Sequence, residues 1–237
     1  MIPKVIHYCW FGRNPLPKSA KKCIASWRKF FPDYEIKEWN EDNFDVNIIP
    51  YTRQAYEAEK YAFVSDYARF WILYNHGGVY FDTDVEVIRP MDDIIERGAF
   101  MGVEQDKPLS IAPGLGLAVD KGRTFYRDIL ANYDNLPFYT EEGRISSFTM
   151  VPMVTKMLVD SGLSWSGRIE FVNDTYIYPK DYFNPMDSLT GKIKITSNTR
   201  SIHRYTASWL PVHKRKLLKI KRWIRFSLHN FTEIVSK

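Results

Sequence analysis

Cysteine is scarce in this chain of 237 residues: only Cys9 and Cys23 occur. They match neither a zinc-ligand nor a redox spacing, and they exclude a disulfide-built scaffold. Two scattered thiols suit a reducing compartment. Long apolar runs are missing as well. No stretch approaches the roughly 18 residues needed to span a bilayer. The opening Met1-Ile2-Pro3-Lys4-Val5-Ile6 lacks the basic start and apolar centre of a secretion leader. The expectation is therefore a cytoplasmic protein. Internal repeats and low-complexity linkers are absent, which removes solenoids and disordered arrays.

What is present is globular. The chain is 45% hydrophobic and 26% charged, enough for one domain with its own core. Aromatics reach 16%, and most are expected in that core. The net charge of +5 is unevenly spread. Seven of the 33 basic side chains fall between residues 214 and 225, where no acid occurs. Without them the body holds 26 basic against 28 acidic residues. A nucleic-acid binder would spread basic charge over its folded face, so no nucleic-acid partner is expected.

Periodicity places the elements. Residues 4–11 read as a strand, 17–31 as a helix and 34–39 as a second strand, a βαβ unit that points to an α/β sheet. Residues 53–76 have a helical pattern, and Gly77-Gly78 supplies its stop. Val79 to Val87 reads as one strand. A short helix after Pro90, a strand at 99–103 and helices at 124–133 and 149–161 follow. Residues 168–205 look like short strands and loops.

Two acidic features carry chemistry. Asp82 and Asp84 follow the apolar Val79-Tyr80-Phe81, and on a strand residues two apart point the same way. Paired carboxylates are hard oxygen ligands for Mg²⁺ or Mn²⁺, and such an ion can hold a nucleoside diphosphate. Asp-x-Asp after an apolar strand also occurs in phosphatases of the haloacid-dehalogenase type. Those favour Thr or Val two residues after the second Asp, where this chain has Glu86. Upstream, Asp66 and Arg69 stand three residues apart on a helix that is apolar over most of its girth. A charged pair there is either a salt bridge pinning the helix or a carboxylate and a guanidinium offered to a polar ligand.

From Lys60 to Asp92 the chain combines Ser65-Asp66-Tyr67-Ala68-Arg69, Gly77-Gly78-Val79-Tyr80 and Asp82-Thr83-Asp84. The combination closely resembles the sugar-binding region of the glycosyltransferases with the DXD motif, a group that includes yeast mannosyltransferases and bacterial capsular polysaccharide enzymes. It is distantly similar to the glucosyltransferase domains of clostridial toxins. Ile2 to Gly12 looks like that family's opening strand, and His203 to Trp209 like its closing segment. The resemblance implies a GT-A-type nucleotide-binding sheet flanked by helices, a nucleotide-sugar donor, a divalent metal and retention of anomeric configuration. By position, Asp82 and Asp84 would be metal ligands with His203, Asp82 also meeting the donor. Asp66 and Arg69 would hold the donor sugar as catalytic residues. Trp10 would stack near the nucleotide base, and Ser208 and Trp209 would contact the diphosphate.

Residues 1–212 then form the glycosyltransferase domain, and 213–237 a separate basic amphipathic helix. On that helix Leu217, Ile220, Ile224, Leu228, Phe231 and Val235 share one stripe, and most Lys and Arg lie opposite. Such a helix suits an anionic membrane surface, or docks on the body with its basic face in water. The resulting expectation is an enzyme peripheral to the inner face of the plasma membrane. It would add a sugar, from a UDP-sugar by preference, to a glycan acceptor on a lipid, in capsule, exopolysaccharide or O-antigen synthesis. An Asp-x-Asp phosphatase and a non-catalytic membrane-associated binding module are the alternatives.

Overall fold

The expected βαβ unit opens the computed structural model, which describes residues 1–146, 149–187 and 190–206. Strand β1 (Val5–Cys9), helix α1 (Lys18–Phe30) and strand β2 (Glu35–Trp39) follow in order. β1 and β2 pair in parallel, from Val5 opposite Glu35 to Cys9 opposite Trp39. α1 buries Ala20, Cys23, Ile24 and Trp27, residues spaced by three and four, as a core-facing helix must. Trp27 is wholly buried, and its indole N–H donates to the Val85 carbonyl at 2.8 Å. Truncating so large a buried ring costs about 3–5 kcal/mol.

The helix expected over 53–76 is two helices, α2 (Pro50–Glu57) and α3 (Tyr61–His76). Between them Glu59 takes a left-handed φ of 56°. Lys60 N–H donates to Ala55 O and Glu59 N–H to Tyr56 O, the pair of bonds that closes a Schellman cap. Glycine normally occupies that left-handed position, so the sequence carries no stop signal here. α3 does end at Gly77-Gly78. A β-carbon on Gly78, whose φ is 102°, would lie 2.7 Å from the Val5 carbonyl oxygen.

The strand expected from Val79 to Val87 is also broken, into β3 (Gly78–Tyr80) and β4 (Val85–Val87). Asp82, Thr83 and Asp84 form a turn between them, closed by Val85 N–H to Asp82 O at 3.0 Å. The two carboxylates are therefore brought together by a turn and not by strand alternation. The remaining elements are α4 (Asp92–Arg97), β5 (Phe100–Asp106), β6 (Leu109–Ile111), a 3₁₀ turn at Pro113–Leu115, β7 (Leu117–Val119), α5 (Thr124–Ala131), α6 (Met150–Asp160), β8 (Glu170–Val172), β9 (Thr175–Tyr178), α7 (Lys180–Phe183) and β10 (Ser201–His203).

The large sheet has the order β2-β1-β3-β7-β5-β9-β8, with β6 hydrogen-bonded to β5. It is mixed: β1 runs parallel to β2 and β3, β5 parallel to β9, and β7 runs against both of its neighbours. One apolar cluster on the sheet includes Tyr67, Phe70, Tyr126 and Val154 of α3, α5 and α6. The other includes Trp27, Ile94 and Phe183 of α1, α4 and α7. The α/β class with helices on both faces is as expected. Among the described residues β10 lies outside that sheet and pairs antiparallel with β4, His203 opposite Val85. The domain boundary expected at 212 and the helix expected over 213–237 lie outside the described residues.

Candidate functional site

β1 and β3 are parallel neighbours, with Ile6 opposite Val79 and His7 opposite Tyr80. Their carboxyl ends therefore open at the same edge, where α/β sheets bind ligands. Trp10 leaves β1 there, and the Asp82 turn leaves β3 there. Trp10 is partly buried, and its indole N–H is used by the Asn14 carbonyl. Behind both strands α3 delivers Asp66 and Arg69.

Arg69 is 5% exposed, so its charge must be matched locally. Its Nη2 lies 3.0 Å from Asp66 Oδ1 and 3.0 Å from Asp82 Oδ1. Nε donates to the Ser65 carbonyl, Nη1 meets Met150 Sδ at 3.2 Å, and the guanidinium lies 5.0 Å from the Tyr80 ring centroid. The salt-bridge reading of the helix pair holds, and the same guanidinium also reaches the DXD turn. Burial pushes the Asp66 carboxyl up to about 6, with Asp82 adding to the rise and Arg69 opposing it. Burial raises Asp82 too, with Arg69 opposing it and Asp84 adding to it.

Asp82 is fixed from three sides. Oδ1 accepts from Arg69 and from Tyr80 Oη at 3.0 Å, and the backbone N–H donates to Gly114 O. A β-carbon on Gly114 would fall inside contact distance of Asp82 Oδ2. Only glycine leaves room for the carboxylate where it stands. Asp84 has partners of its own. Oδ1 accepts from His203 Nε2 at 3.0 Å, and Oδ2 accepts from Thr206 N–H at 2.8 Å and Thr206 Oγ1 at 3.2 Å. Burial opposes its charge, but His203 and Thr206 outweigh burial and hold Asp84 down at about 2. Burial likewise opposes the charge on His203, and Asp84 overcomes it and raises the imidazole.

Asp82, Asp84 and His203 offer ligand atoms that all lie within 4.8 Å of one another. His203 Nδ1 is buried with no hydrogen-bond partner among the described residues. Two carboxylates and an imidazole fit a divalent cation such as Mn²⁺ or Mg²⁺, and the lack of a side chain at Gly114 lets Asp82 keep its place in that set. Glu86 is engaged elsewhere. Its Oε2 accepts from Arg204 Nε at 2.7 Å. A phosphatase of the Asp-x-Asp type would need Asp82 free to attack, whereas Oδ1 is already shared by Arg69 and Tyr80.

The structure therefore gathers five of the expected residues, Asp66, Arg69, Asp82, Asp84 and His203, and puts Trp10 at the same sheet edge. Ser208 and Trp209 lie outside the described residues. Tyr80, Gly114 and Thr206 are additions. Gly114 had a signal in the Pro113-Gly114-Leu115-Gly116 run; Thr206 had none of its own.

Comparison with known proteins fits this geometry. Residues 17–101 match the family described as glycosyltransferase sugar-binding region containing DXD motif. Inositol phosphoceramide mannosyltransferase 3 of Schizosaccharomyces pombe is 29% identical over 141 residues, 58% of this chain and 38% of that protein. A mannosyl phosphorylinositol ceramide synthase of Saccharomyces cerevisiae is 24% identical over 77% of this chain and 49% of its own length. The matched regions thus span half or less of these relatives. A glycosyltransferase involved in the glycosylation of the major capsid of PBCV-1 shares the fold, with a TM-score of 0.51 and 12% identity over 92% of this chain and 100% of that one. Residues 17–101, which hold the DXD turn and the Asp66-Arg69 helix, are thus a match to the glycosyltransferase sugar-binding region containing the DXD motif.

Proposed function

We propose that the chain transfers a hexose from a nucleotide-sugar donor to a glycan acceptor with retention of configuration, using a divalent cation held by Asp82, Asp84 and His203. The observation that carries this reading is the triad itself, set beside a buried Arg69 that bridges Asp66 and Asp82. A bound Mn²⁺ or Mg²⁺ would neutralise negative charge on the departing nucleoside diphosphate. Arg69 adds a fixed positive charge near the same turn. Asp66 is ionised above about pH 6 and accepts hydrogen bonds from sugar hydroxyls. Trp10 stacks on the base, and Ser208 and Trp209 contact the diphosphate. The acceptor hydroxyl attacks the anomeric carbon on the face the diphosphate leaves, and the leaving phosphate oxygen takes its proton. Asp66 is tied to Arg69 and acts as a ligand to sugar, not as a nucleophile; trapping a glycosyl group on it would overturn that assignment.

The names of the relatives support a hexose donor, mannose included, and an acceptor carried on a lipid. UDP-galactose and UDP-glucose remain the preferred donors, by similarity to bacterial capsule enzymes. The basic stripe of 213–237 supports a place on the inner face of the plasma membrane. A donor-hydrolysis screen over UDP- and GDP-sugars, with Mn²⁺, Mg²⁺ or chelator, tests the proposal. One donor hydrolysed only with metal is the expected result. Full metal-dependent hydrolysis by Asp84→Asn would sink the cation assignment. Absence of hydrolysis with every donor would favour a non-catalytic binding module.

A further inference from the structure

The side chains of the cation corner are held from two sides. Asp82 is locked to the body through Arg69 of α3 and Tyr80 of β3. His203 belongs to β10, whose ladder partner is β4, not a strand of the large sheet. Asp84 goes with that second side through His203 and Thr206. The Asp82–Asp84 turn and the β4–β10 ladder join the two sides, and the segment after β10 braces His203 against them.

The segment after β10 supplies a strut. Tyr205 takes a left-handed φ of 47°, and its ring centroid lies 4.2 Å from that of His203. Its hydroxyl donates to Glu104 Oε1 at 3.0 Å and accepts from Asn184 Nδ2 at 2.7 Å. Glu104 is the extra residue of a β-bulge in β5. Val103 pairs with Ile111 and Gln105 with Ser110, and the register shifts between them. A bulge re-aims its residue and leaves its backbone unpaired in the ladder. Here the re-aimed carboxylate receives Tyr205 and, at 3.3 Å, Ser110 Oγ. Asn184 Nδ2 also satisfies the Glu104 carbonyl at 3.1 Å. Asn184 is 1% exposed and its Oδ1 has no partner among the described residues, so the fold keeps a buried amide whose nitrogen does the bridging.

We propose that Tyr205, held by the Glu104 bulge and Asn184, is a positioning residue that fixes the Asp84–His203 half of the cation corner against the Asp82 half. The inference rests on the cation reading given above. Tyr205 does not ligate the ion; it acts through His203, as outer partners do at metal sites.

The test uses the full chain and two readouts, the Mn²⁺-induced rise in Tm without substrate and the Mn²⁺ half-saturation of donor hydrolysis. Tyr205→Phe and Glu104→Ala should each raise the Mn²⁺ concentration needed by about 10-fold or more, with kcat at saturating Mn²⁺ nearly unchanged. Glu104→Gln, which still offers an oxygen, should restore most of the affinity. The double variant should be no worse than either single, because both break one strut. A lower metal-free Tm with unchanged Mn²⁺ affinity, or additive losses in the double variant, would overturn the strut. A wild-type protein indifferent to Mn²⁺ in both readouts would overturn the cation reading and the strut with it.

Discussion

Gly114 and Asp82 share a space that only one of them can fill. A β-carbon on Gly114 would lie 2.9 Å from Asp82 Cγ and closer still to Oδ2, and 3.5 Å from Arg69 Nη1. The backbone of Gly114 is not left-handed, so alanine is tolerated by the chain itself. The clash falls on a carboxylate held by two donors. Gly114→Ala should fold, with Tm close to wild type, and lose about 10²-fold in metal-dependent donor hydrolysis as Asp82 moves. Unchanged hydrolysis would mean that Asp82 is free to work elsewhere.

Arg69 should separate charge from shape. Arg69→Met leaves Asp66 and Asp82 facing each other without a cation, which costs about 3 kcal/mol of stability for a broken buried pair. Arg69→Lys keeps the charge and loses the planar guanidinium whose Nη2 reaches both carboxylates while Nε and Nη1 are held by Ser65 O and Met150 Sδ. It should be the more stable variant and still turn over poorly. Urea unfolding alongside donor hydrolysis gives both numbers. Equal stability of the two variants would argue against a charge role in the fold.

His7 supplies a pH signature. Trp39 Nε1–H donates to His7 Nδ1 at 3.0 Å, so the ring proton sits on Nε2 and donates to the Gly77 carbonyl at 2.9 Å. A second proton would face the Trp39 N–H. With burial as the main cause, the imidazole is held down at about 4. The unfolded chain protonates His7 near 6.5 and the folded chain only near 4, so stability falls as pH drops through that window. Asp66 works in the opposite sense between about 6 and 3.8, since the folded state holds its proton more tightly. The contrast is therefore read as a difference. Between pH 7.5 and 5, His7→Gln should lose about 2 kcal/mol less than wild type. Parallel stability curves for the two would remove the His7 account.

The seven basic residues between 214 and 225 predict salt-sensitive membrane binding. The chain of 237 residues should sediment with vesicles rich in phosphatidylserine and leave them as salt rises, at about 1 kcal/mol per basic side chain near the surface. Replacing Lys219, Lys221, Arg222 and Arg225 by glutamine should abolish sedimentation and spare donor hydrolysis. Sedimentation that survives the four changes would assign binding to another surface.

Much of this was legible in local pattern. The spacing of Ile24 and Trp27 gave α1, the alternation at 34–39 gave β2, and Gly77-Gly78 gave the end of α3. Asp66, Arg69, Asp82 and Asp84 could be named because they occur within nineteen positions and in a recognisable combination. Two local readings failed for local reasons. Glu59 occupies a left-handed cap without glycine, so the helix break left no mark. Asp82 to Asp84 turns because α1 holds β4 from the side, through Trp27 to Val85 O and Val87 N–H to Ser26 Oγ, contacts about sixty residues apart in sequence.

The sequence by itself determined the α/β class, the carboxylates and the guanidinium, since period and residue type are properties of neighbours along the chain. The tertiary structure alone decided how those groups face one another. Arg69 bridges Asp66 and Asp82 only after α3 packs behind β1 and β3. His203 meets Asp84 across a second small sheet, Gly114 clears the space for Asp82, and the bulge at Glu104 reaches Tyr205. Each of those relationships joins residues that no period connects, and each is fixed by packing and hydrogen bonding between distant segments.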